Sequence, residues 1–328
     1  MWFKNAFLFQ FIEDQAVTAE QLEADLAEQR FMPCDSVSAS SQGWTAPSGD
    51  EEAPLVHEAN GFLLVCLKIE EKILPSSVVN DMLAEKIAEQ EEATGRKVRK
   101  KDKLAMKDEI YHTLLPRAFS KTTLLHGYID TAEGLLVVNT SSASRADAFT
   151  EALRNAMGSL KIQLPDVEPV GMLLTDWLMT QEYPADFVIA DHCVLQDPRE
   201  GGSIRCQKEN IQSEEIRGLI ETGREVAQMA LSWCEQVSFV LKDDFTIRSI
   251  RFLEGVQDQA NDIFTETDQA RFDADFTIMT ETLRALFKAL LGIFGKGTVA
   301  EALETEVAAE TEATPADVAD ENTEEVVV

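Results

Sequence analysis

The chain has no stretch of 18 uninterrupted apolar residues, so no membrane-spanning helix is expected. Its first residues, MWFKNAFLFQFIEDQ, lack the basic region, long apolar run and small-residue cleavage site of a secretory leader. A cytoplasmic location is expected. Only five cysteines occur, Cys34, Cys66, Cys193, Cys206 and Cys234, and none forms a Cys-x-x-Cys pair. An odd number at long spacings argues for free thiols rather than a disulfide framework. His192-Cys193 is the one adjacent pair of ligand types, and Cys206 lies on another segment. Zinc needs three or four ligands at recognisable spacing, so no metal site is expected. No G-x-x-x-x-G-K-[ST], G-x-G-x-x-G or G-x-S-x-G string occurs, and no internal repeat. Neither a catalytic site nor a cofactor is expected.

What is abundant is acid. Fifty-nine Asp and Glu stand against 29 Lys and Arg, for a formal net charge of −30 over 328 residues. Taken whole, that balance argues against a nucleic-acid partner. The charge is unevenly spread, however. Residues 299–328 hold ten acids, no base and no aromatic residue. Such a segment buries too little surface to offset chain entropy, and a disordered acidic tail is expected. Removing its ten acids leaves −20 on residues 1–298.

The remaining length suits one large domain or two to three small ones, and its 45% hydrophobic content is ordinary for a globular protein. Strands are expected over Trp2–Phe11, Gly61–Ile69, Leu124–Ile129 and Leu135–Asn139, with helices over Thr18–Arg30 and from Ser144 to Gly158. Ser144 is read as the cap of that second helix, with Asp147 at capping-box spacing. Ser40–Glu52 reads as a polar loop around Gly43-Trp44. Two helices, Val78–Glu92 and Asp102–Leu115, fall in an insertion over 75–120, the second ended by Pro116. After Gly171 come a helix near Leu173–Met179, a loop at Asp197–Gly202 and a short helix capped by Ser213. An antiparallel meander of Glu225–Trp233, Val237–Leu241 and Phe245–Phe252 precedes a final helix with Leu283, Leu286, Phe287, Leu290, Leu291 and Phe294 on one stripe. Strands and helices without strict alternation indicate an α+β fold with antiparallel sheets. The expected organisation is a central domain of 1–74 plus 121–170, an inserted helical finger of 75–120, a C-terminal domain of 171–298, and the tail.

The sharpest local feature is the run TGRKVRKKDKLAMK. Between Gly95 and Lys121 stand Arg96, Lys97, Arg99, Lys100, Lys101, Lys103, Lys107, Arg117 and Lys121 against Asp102, Asp108 and Glu109, a local excess of six positive charges. Such a cluster is what phosphate neutralisation requires, because each contact releases a condensed counterion. Without interleaved aromatics it suits backbone contacts rather than base reading. It equally suits a solvated helix face pairing with Glu85, Glu89, Glu91 and Glu92. Phe119, just past the second helix, fits a core plug, a stacking platform or an interface anchor. Arg205, Lys208, Arg217 and Arg224 form a sparser basic set, ordinary surface charge by default. Asp243-Asp244 and the Asp273/Asp275 pair of RFDADF are the carboxylates a two-metal nuclease would use. The first pair suits a turn, and the alternation of RFDADF places the second pair on one face of a strand.

These strings together resemble the bacterial RdgC family of recombination-associated DNA-binding proteins. The resemblance is carried by MWFKN, RFMPC and SQGW between Arg30 and Trp44, GRKVRKKDK, LLPRAFSK, MGSLKI, WLMTQEYPADFVIADHCVL, IRCQKENI, SEEI, GREVAQMALSW, SFVLKDDF and RFDADFTIMTETL, over about residues 1–295. It implies a homodimer closing into a ring around double-stranded DNA, with single strands a further candidate ligand. It also implies little sequence preference, a nucleoid-associated location, antagonism of RecA, and neither catalytic site nor cofactor. It makes the insertion the tip that meets the partner, Arg117 a DNA-facing base, Phe119 a dimer-interface anchor, and Lys208 and Arg224 further DNA contacts. The sequence departs from the family at Gln207-Lys208-Glu209, where a more basic run is expected. An acidic scaffold or DNA mimic without direct DNA binding is the alternative, and a metal-dependent nuclease a third reading.

Overall fold

The computed structural model describes residues 1–12, 17–50, 52–208, 210–262 and 267–296; the acidic segment 299–328 lies outside them. Along the chain, β1 (Phe7–Phe11) and α1 (Ala19–Ala27) precede β2 (Ser40–Thr45), β3 (Val56–Ala59) and the long β4 (Phe62–Ile73). Helices α2 (Ser76–Thr94) and α3 (Lys100–Leu114) and a 3-10 turn (Leu115–Arg117) separate β4 from the equally long β5 (Phe119–Asp130). Then come β6 (Leu135–Val138), α4 (Ala143–Met157), β7 (Ile162–Gln163) and α5 (Val170–Thr180). The remainder is β8 (Phe187–Gln196), β9 (Ser203–Gln207), α6 (Glu214–Glu221), β10 (Glu225–Trp233), β11 (Val237–Lys242), β12 (Ile247–Phe252), α7 (Glu254–Asp262) and α8 (Asp268–Phe294). The fold is α+β.

Among the described residues the strands form two antiparallel sheets. One has the order β2-β4-β5-β6-β1-β7 with β3 also on β4, and the other the order β12-β11-β10-β8-β9. Alternation along the first sheet explains its two cores. Phe62 and Leu64 of β4, Tyr128 of β5, Leu135 and Val137 of β6 and Leu8 of β1 face α8 and the second sheet. Their neighbours Leu63, Val65, Leu67, Ile129, Leu136, Val138 and Phe9 face α1 and α4. A strand buried on both faces reads as an unbroken apolar run, which is what FLLVCL is. Gly127 in β5 belongs to this packing. A Cβ there would stand 2.6 Å from the Phe149 ring of α4.

Helix α8 lies at the centre of the larger core. Phe276, Met279, Leu283, Leu286, Phe287, Leu290 and Phe294 are buried against residues of both sheets and of α5 and α6. Arg284 leaves the same helix to grip Asp130, donating from Nε at 2.7 Å and from Nη2 at 2.8 Å, while its guanidinium covers the Phe62 ring at 3.9 Å. Asp130 also accepts the Ala132 and Glu133 amides of the β5–β6 turn, so one buried carboxylate organises both turn and helix.

Several expectations require correction. Trp2–Phe11 is not one strand: Ala6 bridges Ile247 of β12, and the Ile250 amide donates to the Lys4 carbonyl, before residues 7–11 join β6 and β7. Ser40–Thr45 is a strand, not a loop. Its polar residues pair with β4, and Gly43 lets the backbone of Phe31 approach to where a Cβ would be 2.5 Å from the Phe31 Cα. The N-cap of α4 is Ser142, not Ser144, and makes no side-chain capping bond; the Ser144 hydroxyl lies 3.0 Å from that of Ser142. Leu115 keeps helical angles before Pro116, because a 3-10 turn continues through the proline, whose missing N–H costs nothing at the start of a turn. The segment Phe187–Gln207 holds the hairpin β8–β9, so Cys206, on a different strand as expected, faces Cys193 across the ladder. RFDADF is helical and opens α8. At about 100° per residue, Asp273 and Asp275 point to different sides of the helix rather than sharing a strand face.

Candidate nucleic-acid interface

The basic run is carried by the insertion between β4 and β5. These strands pair continuously from Phe62↔Asp130 to Ile73↔Phe119. Their buried halves lie within the sheet; beyond the end of β6 the other half of β5 is largely exposed, and that of β4 is largely half-buried beside β2. The two helices stand at that exposed end. Helix α2 ends in Gly95, whose left-handed φ of 62° reverses the chain and lets its amide donate to the Glu91 carbonyl. The Glu91 carboxylate takes the Val98 amide at 2.8 Å, and Lys86 and Glu109 pair at 2.8 Å between the helices. Only Val79 of α2 and Met106 and Ile110 of α3 are buried, a narrow seam for 34 helical residues.

Arg96 and Lys97 occupy the inter-helix loop, Arg99 is the N-cap of α3, and Lys100, Lys101, Lys103 and Lys107 stand on α3. Lys100, Lys103 and Lys107 share a face at i, i+3, i+7 spacing. Arg117 ends the 3-10 turn, and Lys121 lies opposite Glu71 on the ribbon. All but the half-buried Lys107 are exposed. None of these nine bases forms an ion pair with a described acid; the one pair linking the helices uses Lys86 instead. The acids of α2 therefore hold none of these bases in a direct ion pair. Unpaired, solvated cations of this kind contact phosphate without having to break an internal bond.

Phe119 is 84% exposed at the start of β5, so it is not a core plug. Its cross-strand partner Ile73, with Val78, Met82 and Leu104, adds exposed apolar surface to the same insertion. The sequence had no signal for that grouping beyond the weak apolar periodicity of α2.

The sparser basic set stands on and beside β9, α6 and β10. Arg205 is on β9, and Lys208 follows it at a positive φ of 57° with its amide donating to the Asp191 carbonyl. Arg217 is on α6, and Arg224 immediately precedes β10 and donates to the Thr222 hydroxyl at 3.1 Å. The Nε atoms of Arg217 and Arg224 are buried without a hydrogen-bond acceptor. The two basic sets are thus carried by different elements, the first by the insertion and the start of β5 and the second by β9, α6 and the residues beside β9 and β10.

Three of the four carboxylates considered for nuclease chemistry, Asp244, Asp273 and Asp275, are engaged. Asp273 lies 3.3 Å from His57 Nε2, and Asp275 lies 3.3 Å from the Met1 ammonium and 3.2 Å from Arg271. Asp244 pairs with Lys242 in the β11–β12 turn. Among the described residues no group of three or more His, Cys, Asp or Glu is placed to hold a metal ion. No helix among them is long and apolar enough to cross a membrane.

Comparison with known proteins decides the family. The family model described as "Putative exonuclease, RdgC" matches residues 1–297. The chain belongs to the RdgC family. Over 297 residues, 90% of this chain and 98% of each relative, it is 39% identical to the recombination-associated protein RdgC of Aeromonas hydrophila. Over the same extent it is 41% identical to that of Tolumonas auensis and 38% to that of Serratia proteamaculans. The RdgC match thus takes in both sheets, the helical insertion and α8, and stops where the acidic segment begins.

Proposed function

We propose that the chain is a sequence-independent DNA-binding protein that acts in recombination, encircling double-stranded DNA as a ring-shaped homodimer and restraining RecA by occupying the DNA. The observation that carries this reading is the exposed, unpaired row of bases from Arg96 to Lys121 on an otherwise acidic protein. The relatives' recombination-associated names support the same assignment. In this reading 1–74 with 121–170 form the central domain, 75–120 the tip, and 171–298 the base. Arg96, Lys97, Arg99, Lys100, Lys101, Lys103, Arg117 and Lys121 face phosphates, with Lys208 and Arg224 as further contacts, and Phe119 anchors the partner. A closed ring turns these bases inward and leaves the acids outside, which favours threading of the duplex over side-on adhesion.

The test is DNA binding across a salt series with the mass in solution recorded alongside. A dimer that binds unrelated duplexes without metal and weakens steeply with salt supports the reading. A protein that ignores DNA even at low salt overturns it and leaves an acidic scaffold for basic partners. The family description favours one second reading, an exonuclease. It predicts divalent-metal-dependent shortening of DNA that is lost in Asp273→Asn or Asp275→Asn.

A further inference from the structure

The family match and the relatives' own lengths are accounted for by residues 1–297, so the acidic segment 299–328 is an addition with no counterpart in that match. It brings ten acids and no base. Residues 1–298 carry −20, of which residues 95–121 contribute +6, so the rest of that body carries −26. A polyanion tethered to such a body is repelled by most of it and attracted by one surface. That surface is loop 95–99 with α3, where Lys97, Lys100, Lys101 and Lys103 are exposed and unpaired.

Reach does not limit the contact. The described chain ends at Lys296, just past α8. Thirty extended residues span about 100 Å, whereas a folded body of about 300 residues has a radius of gyration of about 20 Å. Tethering raises the local concentration of a linked segment to the order of millimolar where the linker spans the sites.

We propose that segment 299–328 docks on the basic surface of loop 95–99 and α3 and competes there with nucleic acid. Only the identity of the competitor rests on the DNA-binding reading; the contact itself does not. Charge density decides how the competition ends. Duplex DNA carries one charge per about 1.7 Å of axis. The segment carries about one per three residues, or one per about 10 Å when extended. Duplex DNA therefore displaces it, while sparser polyanions do not, and the segment acts as a threshold that selects the denser ligand. The segment has no aromatic residue, so the contact is electrostatic and weakens with salt.

The test compares the full chain with a full-length variant in which every Glu of 299–328 becomes Gln and every Asp becomes Asn. Lysine acetylation is followed by mass spectrometry at low salt without DNA. Lys97, Lys100, Lys101 and Lys103 are expected to react roughly threefold or more slowly in the unmodified chain, with Lys68 and Lys288 unchanged. The amide variant is expected to bind duplex DNA several-fold more tightly. Equal labelling overturns the proposal, even if the variant binds DNA more tightly, since the segment would then act by repulsion at a distance. Protection in a chain that binds no DNA leaves the docking standing and overturns the DNA-binding reading instead.

Discussion

Arg284 and Asp130 tie the last helix to the β5–β6 turn through one buried pair. Asp130 is 2% exposed and holds two turn amides besides the guanidinium. Removing the cation leaves a buried carboxylate without its partner, so Arg284→Ala is expected to destabilise the protein by about 3 kcal/mol, measured by denaturant unfolding. A second residue reports on pH. Burial holds the His126 imidazole below its ordinary value of 6.5, and burial does the same for His57, where Asp273 pulls the other way. A depressed folded-state value means that the unfolded chain binds more protons. Stability therefore falls as pH drops through about 6.5 and is regained above it. Thermal melts of His126→Gln between pH 7.5 and 5.5 are expected to lose less stability than the parent. Neither role was legible in the sequence, because Asp130 and Arg284 are 154 positions apart and His126 lies in an ordinary strand string.

At the scale of elements, legibility followed how local the cause was. The final helix was evident because its stripe of Leu and Phe recurs at helical spacing. The meander was evident because its three strands alternate and its connections are short. By contrast, β2 is a strand only because β4 and the backbone at Phe31 receive it, and SSQG carries no such information. RFDADF misled because Phe272 and Phe276 are one helical turn apart, yet six residues of alternation read equally well as a strand. The basic run was legible as a run; its lack of ion pairs was not, since that depends on how α2 lies against α3. With so narrow a buried seam, the α2 and α3 amides are expected to exchange hydrogen well before those of β4, β10 and α8. The double variant Lys100→Glu/Lys101→Glu is expected to weaken duplex binding tenfold or more. It is also expected to reduce the slope of log affinity against log salt by about 2, read from the same salt series.

For the whole molecule, the separation of charge and apolar surface matters more than their totals. Net charge alone argued against nucleic acid, yet the described structure collects exposed cations and exposed Phe119 on one insertion that contributes little to either core. Changes there should spare the protomer. In the proposed dimer, Phe119→Ala is accordingly expected to leave the circular-dichroism spectrum of the fold unchanged while weakening self-association by about 2 kcal/mol, as for a central aromatic anchor, measured by sedimentation across concentrations.

The stitching of residues 4–6 into β12 sets the timing of folding. The Phe3 amide meets the Met279 sulfur at 3.0 Å across a separation of 276 residues, and both belong to the core that α8 completes. At a synthesis rate of about 5–20 residues per second, the first residues to leave the ribosome wait on the order of 10–60 s for the helix that covers them. During that interval the inner face of the first sheet waits for its cover, because the second sheet, Phe187–Phe252, is itself completed only shortly before α8. The protein's vulnerability to misassembly is thus concentrated in its birth, and it ends with the arrival of one late helix.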